Sequence, residues 1–399
     1  MSNMTNSTNN NYSKVKKRNI IIIATLAVAL IIGASVFGAC VLSAPCDDCC
    51  SHEHSHSSTL TASQIFSRYS QSVAMVQAGS QIGTGFLVYR QTGIGTPIYI
   101  LTNHHIVQEF IADNSTPITI TFNRITGDEH SSFTNAIRVV GYDSYFDIAL
   151  LEVRFSFNFA QRTLIRFNNN QTPTGEMLTA LGNMDGQGIS VFGGLLSNNN
   201  LVADFGVNAE SNRFKPLYQV NASFNPGVSG APIFCTRGYV VGMAAFRRLA
   251  DSGDRPVQNI SYVVSSQIFM PLVNNAIANN KNDNLDNFGN LFSSPVARMN
   301  TQNSLTLVGL GGLTITRQGT NFTVTHAGVP PSGFVDRWFM AGDTISSVGG
   351  VYVNEQTTWV NLMAIVNQFS VLNQGDTRLR VTVNFDSITI NIDNFRKGD

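Results

Sequence analysis

The chain has 399 residues, which is more than one ordinary domain needs and enough for two domains with terminal tails. Apolar residues make up 43% of it and charged residues only 13%, a balance that excludes an intrinsically disordered chain. The formal net charge is zero, so the composition argues against a nucleic-acid partner.

The amino-terminal segment predicts a membrane anchor. Residues 1–19 form a polar tail that ends in a basic cluster, and residues 20–42 then run without a charge. An apolar stretch of this length spans a bilayer and is longer than in most cleaved signal peptides, so it favours an uncleaved signal anchor. By the positive-inside tendency we expect a single-pass protein with a cytosolic tail and the rest of the chain on the extracytoplasmic side.

Residues 43–62 form a stalk rich in cysteine and histidine. Its candidate ligands are Cys46, Cys49, Cys50, His52, His54 and His56. Their spacing allows a soft metal or interchain disulfides. Membrane-proximal cysteines that are oxidised or lipidated explain the same pattern without a metal, so we expect neither a metal site nor a cofactor.

Between residues 63 and 275, short apolar runs separated by Gly, Asn and Asp predict a mainly β domain with two sets of six strands. The first set covers 73–77, 85–89, 98–102, 118–122, 137–140 and 148–153. The second covers 178–181, 190–196, 217–220, 231–235, 239–245 and 260–264.

Two strands of the first set end or begin at candidate catalytic residues. The strand over 98–102 leads to His104 and His105, and Asp147 stands at the mouth of the buried strand over 148–153. A carboxylate held there in low dielectric can fix the tautomer of an imidazole. Asp143 lies in a predicted turn, where an aspartate more often bonds its own backbone, so Asp147 is favoured.

Ser229 lies in a turn bounded by Gly227 and Gly230, just before an apolar run. Gly227 permits a tight turn in which its N–H and that of Ser229 converge on a developing oxyanion. A lone Gly-x-Ser-Gly segment is more often an ordinary turn between strands. A histidine and an acid precede this one, and the order His, Asp, Ser is that of chymotrypsin-type enzymes.

The segments Thr102-Asn-His-His-Ile-Val107, Asp147-Ile-Ala-Leu-Leu151 and Asn225-Pro-Gly-Val-Ser-Gly230 resemble the triad motifs of the HtrA/Deg branch of trypsin-like serine proteases. The resemblance covers most of the chain from about residue 63. It implies two six-stranded antiparallel β-barrels of the chymotrypsin type, with the active site in the cleft between them. Residues 182–190 resemble the activation loop of that family.

The resemblance also implies individual roles. His105 is the base in preference to His104, Asp147 orients it, and Ser229 is the nucleophile. Gly227 and Ser229 form the oxyanion hole. Val228 and Ala231 depart from the family pattern beside this turn, so the geometry of the hole is the point that the resemblance leaves open.

A chymotrypsin-type pocket predicts which bond is cut. We expect its wall to come from residues 222–224, 243–246 and 260–263, with Ser223, Met243, Ala244 and Tyr262 among them, and none of these positions supplies a carboxylate. A substrate cation would be left unpaired and desolvated in such a pocket. The expected cleavage is therefore after small or medium apolar residues of unfolded or extended polypeptides.

The composition changes again after the β domain. Residues 276–300 form an Asn-rich linker, residues 301–388 resemble a small α+β PDZ domain, and residues 389–399 form a tail. The resemblance implies a groove that binds carboxyl-terminal or extended peptides. Gly309, Leu310, Gly311 and Gly312 would present N–H groups there, or else form a plain hairpin turn. The resemblance to the HtrA/Deg family also allows a homotrimer.

Two hypotheses follow from this sequence. The first is a membrane-anchored serine endopeptidase of HtrA/Deg type with a carboxyl-terminal peptide-binding module. The second is a catalytically inactive peptide-binding or chaperone-like protein that keeps the protease fold. Only Val228 and Ala231 favour the second hypothesis, since every candidate triad position carries a suitable side chain.

Overall fold

A computed structural model describes residues 59–90, 96–123, 132–134, 136–154, 162–205, 213–249, 256–279, 297–307, 312–328, 339–348, 351–371, 378–383 and 386–391. The predicted tail, the anchor over 20–42, the cysteines and histidines of the stalk and linker residues 280–296 lie outside these ranges. Within them, no helix is both long enough and apolar enough to cross a membrane.

The first sheet is antiparallel and has seven strands in the order β5-β4-β1-β2-β3-β7-β6. They are β1 (Val73–Ala78), β2 (Gln81–Arg90), β3 (Ile98–Thr102), β4 (Ile118–Phe122), β5 (Ser132–Phe133), β6 (Ile137–Asp143) and β7 (Ile148–Val153). All six predicted strands are present. The expected closed barrel is wrong for this half, because β5 has only two residues and does not pair with β6 among the described residues. The result is an open half-barrel.

The second set forms a closed barrel, as predicted. Its antiparallel order is β10-β9-β12-β13-β14-β11, and β11 pairs back onto β10. The strands are β8 (Arg166–Phe167), β9 (Met177–Asn183), β10 (Ile189–Asp204), β11 (Phe214–Val220), β12 (Pro232–Cys235), β13 (Tyr239–Leu249) and β14 (Pro256–Ser265). The short β8 pairs in parallel with β13. Cys235 is a buried free cysteine of this core.

Four α-helices accompany the strands in the described ranges. They are α1 (Ala62–Tyr69), α2 (His104–Ala112), α3 (Ser266–Asn279) and α4 (Trp359–Val371). Helix α1 begins with a capping box in which Thr61 and Gln64 each bond the other's backbone N–H. Helix α2 begins directly after β3, so the end of a fully buried strand sets the position of His104 and His105.

The carboxyl-terminal module has a sheet that continues the second barrel. Its strands are β15 (Ala297–Thr301), β16 (Ser304–Leu307), β17 (Leu313–Gln318), β18 (Asn321–His326), β19 (Thr344–Val348), β20 (Val351–Tyr352), β21 (Arg378–Val383) and β22 (Asp386–Asn391). β15 pairs with β11 at Met299 and Phe214. Met299, Phe322 and Trp359 belong to the same buried cluster as the barrel. The predicted α+β composition is present, and the module shares its core with the barrel.

Candidate active site

The carboxylate of Asp147 holds His105 at two points. Its Oδ2 lies 2.6 Å from His105 Nδ1, and its Oδ1 accepts the His105 backbone N–H at 2.8 Å. The second bond caps the amino terminus of α2, where the helix dipole also favours a negative charge. Asp147 takes a φ of 58°, and its carbonyl accepts from Asn103 Nδ2 at 2.7 Å. The site thus fixes the orientation of one imidazole.

The two alternative residues lie in different surroundings. The ring of His104 stacks on Tyr142 with centroids 4.8 Å apart, and burial lowers the pKa of His104. Asp143 Oδ1 accepts the N–H groups of Tyr145 and Phe146 at 2.8 and 2.9 Å, the backbone bonding that its turn predicts. Burial raises the pKa of Asp143 to about 6. The structure therefore places Asp147, and not Asp143, against His105.

The turn that carries Ser229 requires glycine on both sides. Gly227 has a φ of 87°, and a Cβ there would lie 2.1 Å from the Asn183 carbonyl oxygen. Gly230 has a φ of 86°, and its Cβ would lie 1.9 Å from the carbonyl oxygen of Thr84. Any other residue would be strained at either position and would clash with backbone. The Thr84 hydroxyl further ties the turn to the first sheet by donating to the Gly227 carbonyl at 2.7 Å.

Two N–H groups of this turn have no partner among the described residues, those of Gly227 and Ser229. Their neighbours are engaged: Val228 N–H donates to Asn225, Gly230 N–H to Ala244 and Ala231 N–H to Val228. The carbonyl of Pro226 accepts from Asp185 N–H at 2.8 Å. Because the Pro226–Gly227 peptide is trans, that bond turns the Gly227 N–H the opposite way. The pair has the donor groups that an oxyanion hole needs.

The two residues that depart from the family pattern, Val228 and Ala231, pack in the core. The side chains of Val228 and Ala231 are both fully buried. Ala231 packs where Gly182 leaves room, since a Cβ on Gly182 would lie 3.0 Å from that of Ala231. The methyl group of Ala231 therefore fills space beside Gly182 that would be left open if position 231 were also glycine.

A cleft of about 700 Å³ runs past these residues. Its walls come from both sheets and are lined by Gln81, Ile82, His104, His105, Ile106, Gln108, Ser144, Asp147, Phe205, Phe224, Asn225, Pro226, Gly227, Ser229, Ala245, Phe246 and Arg247. The half-barrel supplies the histidines and Asp147, and the closed barrel supplies Ser229. The structure thus brings His105, Asp147, Gly227 and Ser229 together in one cleft.

Of the predicted pocket ranges, Phe224, Ala245 and Phe246 line this cleft, whereas Ser223, Met243, Ala244 and Tyr262 do not. Met243 and Ala244 are fully buried inside the barrel, and Tyr262 packs against Phe205 with centroids 5.7 Å apart. Ser223 is exposed and bonds Asn259. The wall is formed instead by residues further along β13, because an irregularity between Ala244 and Phe246 shifts the alternation of the strand.

The predicted peptide loop of the carboxyl-terminal module is mostly outside the described residues. Positions 309, 310 and 311 fall there. Gly312 is described, has a φ of 82° and precedes β17 directly. In helix α4, Leu362 and Val366 are buried as its periodicity predicts.

Comparison with known families agrees with this geometry. Residues 83–243 match the family model described as a trypsin-like peptidase domain. This segment of the chain is similar to trypsin-like peptidases. The match begins in β2, includes His105, Asp147 and Ser229, and ends in β13. The matched segment thus contains most of the residues that line the cleft, and the others, Gln81, Ile82, Ala245, Phe246 and Arg247, lie just outside it.

Curated relatives of this segment are named as HtrA-type serine proteases. The serine protease Do-like HtrB of Bacillus subtilis (strain 168) is 28% identical over 187 residues, which cover 46% of this chain and 37% of that protein. The serine protease HtrA-like of Staphylococcus aureus (strain bovine RF122 / ET3-1) is 27% identical over 189 residues, 46% of this chain and 22% of that protein. The alignments thus span well under half of each relative's length. Over these residues the chain is similar to proteins named as HtrA-type serine proteases.

A solved structure, the HtrA-type protease AlgW with tripeptide, has the same fold. It covers 82% of this chain and 95% of its own chain with a TM-score of 0.50 and 17% sequence identity. The mainly β, chymotrypsin-like architecture is therefore confirmed. Among the wall residues on β13, sequence reasoning missed Arg247, which lies one residue beyond the predicted range 243–246. The irregularity in β13 was not visible in the sequence.

Proposed function

We propose that this chain is a serine endopeptidase that uses His105, Asp147 and Ser229 as its catalytic triad. The observation that carries the proposal is the 2.6 Å contact of His105 Nδ1 with Asp147, in the same cleft as Ser229. With Nδ1 donating to the carboxylate, the neutral ring keeps its lone pair on Nε2, which is the atom that a base needs.

The proposed reaction has two halves. Ser229 Oγ attacks the peptide carbonyl carbon while His105 Nε2 takes the hydroxyl proton, and Asp147 stabilises the resulting imidazolium. The carbonyl oxygen becomes an oxyanion that the N–H groups of Gly227 and Ser229 stabilise. His105 then gives its proton to the leaving amine. A water molecule hydrolyses the acyl-enzyme by the same steps and returns Ser229 to its hydroxyl form.

The proposed substrates are unfolded or extended polypeptides cut after small or medium apolar residues. Phe224, Ala245 and Phe246 supply apolar area beside Ser229, and Asp147 is the one carboxylate that the described residues contribute to the lining. This wall supports the predicted exclusion of lysine and arginine before the scissile bond. These three residues fall within the ranges predicted for the wall, and the predicted specificity stays a proposal.

The remaining parts of the functional proposal rest on sequence. Residues 20–42 anchor the protein as a single-pass signal anchor, with the peptidase on the extracytoplasmic side. The carboxyl-terminal module is PDZ-like and binds carboxyl-terminal or extended peptides through the loop at 309–312. Homotrimer formation is part of the same proposal.

A fluorophosphonate probe tests the catalytic proposal directly, because it reacts only with an activated serine. We expect the folded wild-type protein to be labelled, Ser229→Ala and His105→Ala to remain unlabelled, and Ser115→Ala, which changes an exposed serine outside the cleft, to label like wild type. Wild type and Ser115→Ala should also hydrolyse peptides, and Ser229→Ala and His105→Ala should not. A folded wild-type protein that takes no label would favour the inactive peptide-binding alternative.

A further inference from the structure

Among the described residues, the cleft lining contains one arginine and no lysine, and the proposed catalytic steps do not use it. This residue, Arg247, is exposed, and its side chain makes no hydrogen bond or ion pair within the described part of the chain. The carboxylate that lines the same cleft, Asp147, is already held by His105. A substrate in the cleft would therefore meet an uncompensated positive charge.

The strand segment that carries Arg247 has an open edge towards the cleft. On one side of β13, Phe246 pairs with Tyr262 and Arg247 with Ser261. On the other side, β12 pairs only as far as Met243. No strand among the described residues pairs with residues 245–247 on that side. An extended peptide can add to such an edge through its backbone.

The position of Ser229 sets the register of that peptide. Ala244 is joined to the nucleophile turn at both backbone groups, since its carbonyl accepts from Gly230 and its N–H donates to Ala231. A carbonyl held at Ser229 therefore places the first residue before the scissile bond opposite Ala245. In an antiparallel pair the third residue before the bond then lies opposite Arg247. Directly opposed side chains project from the same face about 5 Å apart at Cβ.

We infer that Arg247 is a specificity-determining residue that selects substrates with Asp or Glu as the third residue before the scissile bond. This inference rests on the proposed endopeptidase function and adds a charged determinant to the apolar preference beside Ser229. The guanidinium would pair with the substrate carboxylate at the rim of the cleft, where the ionic attraction is partly screened by salt.

Three peptides test the inference, identical except for Glu, Gln or Lys as the third residue before a fixed cleavage site. For full-length wild type we expect kcat/KM for the Glu peptide to exceed that for the Lys peptide by about tenfold at low salt. The ratio should shrink at high salt. Arg247→Gln should bring the ratio near one, and Arg247→Glu should reverse it. Arg237→Gln, which removes an exposed arginine outside the cleft, should leave the ratio unchanged.

Affinity measurements separate this inference from the catalytic proposal. Binding of the same peptides to Ser229→Ala, measured by fluorescence anisotropy, reports the preference even when no peptide is cleaved. If wild type cleaves no peptide but Ser229→Ala binds the Glu peptide more tightly than the Lys peptide, the catalytic proposal fails and the role of Arg247 in binding stands. Equal kcat/KM and equal affinity for the Glu and Lys peptides would overturn the inference, as would an Arg247→Glu variant with the wild-type preference.

Discussion

The backbone N–H of Met299 donates to the phenolic oxygen of Tyr145 across 3.0 Å. The same hydroxyl donates to the carbonyl of Phe214 at 2.5 Å, so one buried group joins the half-barrel, the closed barrel and the carboxyl-terminal module. Tyr145 lies two residues before Asp147. Strand β15 of the carboxyl-terminal module, which contains Met299, therefore helps to hold the residues around Asp147 in place. A module that formed a separate domain would not make this contact.

Removing the Tyr145 hydroxyl should destabilise both the barrels and the carboxyl-terminal module. Tyr145→Phe keeps the buried ring but leaves the Met299 N–H and the Phe214 carbonyl without a partner, which costs about 1–3 kcal/mol of the free energy of unfolding. Urea denaturation of the full chain measures the change. Tyr89→Phe is the control, because that ring is 39% exposed. An unchanged unfolding midpoint for Tyr145→Phe would show that water replaces the lost bonds.

Truncation after residue 296 should have a larger effect than Tyr145→Phe. The cut removes Met299, Leu305, Phe322 and Trp359 from a core that they share with the closed barrel. Exposed apolar surface of this extent favours aggregation, so we expect an insoluble or poorly folded fragment. Size-exclusion chromatography and circular dichroism measure the outcome. A monomeric, folded fragment would show that the peptidase domain is stable without the module.

The glycines of the nucleophile turn give a test of the oxyanion geometry. Gly227→Ala should reduce kcat by about a hundredfold or more, since its methyl group must displace the Asn183 carbonyl and with it a hole donor. Gly175→Ala, at a φ of 92° with no atom near the added methyl, controls for backbone strain alone. Similar losses of activity in the two variants would argue against the oxyanion role of Gly227.

The two aspartates of this region should behave differently on amidation. Asp147→Asn should reduce kcat by about 10⁴-fold, because an amide favours the wrong imidazole tautomer. Asp143→Asn should retain most activity, since its side-chain oxygen can still accept from Tyr145 and Phe146. His104→Ala should likewise lose far less than His105→Ala. The reverse order for either pair would contradict the assignment of the triad by contact with Asp147.

Asp143 should also make folding stability depend on pH. Desolvation raises its pKa from 3.8 to about 6 in the folded chain, despite the opposing bonds to Phe146 and Tyr145 and the positive charges of Lys215 and Arg298. The folded state therefore binds this proton more tightly than the unfolded state. The stabilising contribution is complete below about pH 4 and is lost as the pH rises through about 6.

Urea midpoints of wild type and Asp143→Asn between pH 4 and 7 measure this contribution. We expect the stability of wild type to fall relative to the variant over that interval by a few kcal/mol. Asp113→Asn is a control, because backbone and side-chain bonds from Ser115 lower the pKa of that exposed carboxylate. Parallel curves for wild type and Asp143→Asn would contradict the burial of an ionisable Asp143.

The sequence by itself determined the local elements of this protein. Apolar runs predicted the six longer strands of each set but not the two-residue strands β5 and β8, because each longer strand buries a continuous or alternating face. The turn around Asp143 predicted its bonds to its own backbone, since a short acidic side chain reaches the N–H groups that follow it. The motifs around His105, Asp147 and Ser229 also identified the residues that the fold brings to one cleft.

Only the tertiary structure decided how these elements join. The half-barrel stays open while β10 and β11 close the other barrel, and this depends on pairings between distant residues that no local period encodes. The irregularity in β13 buries Met243 and Ala244 and turns Phe246 and Arg247 to the cleft, because a single extra residue reverses the alternation of a strand. The shared core of Met299 and Trp359 with the barrel arises likewise from packing across more than a hundred residues of chain.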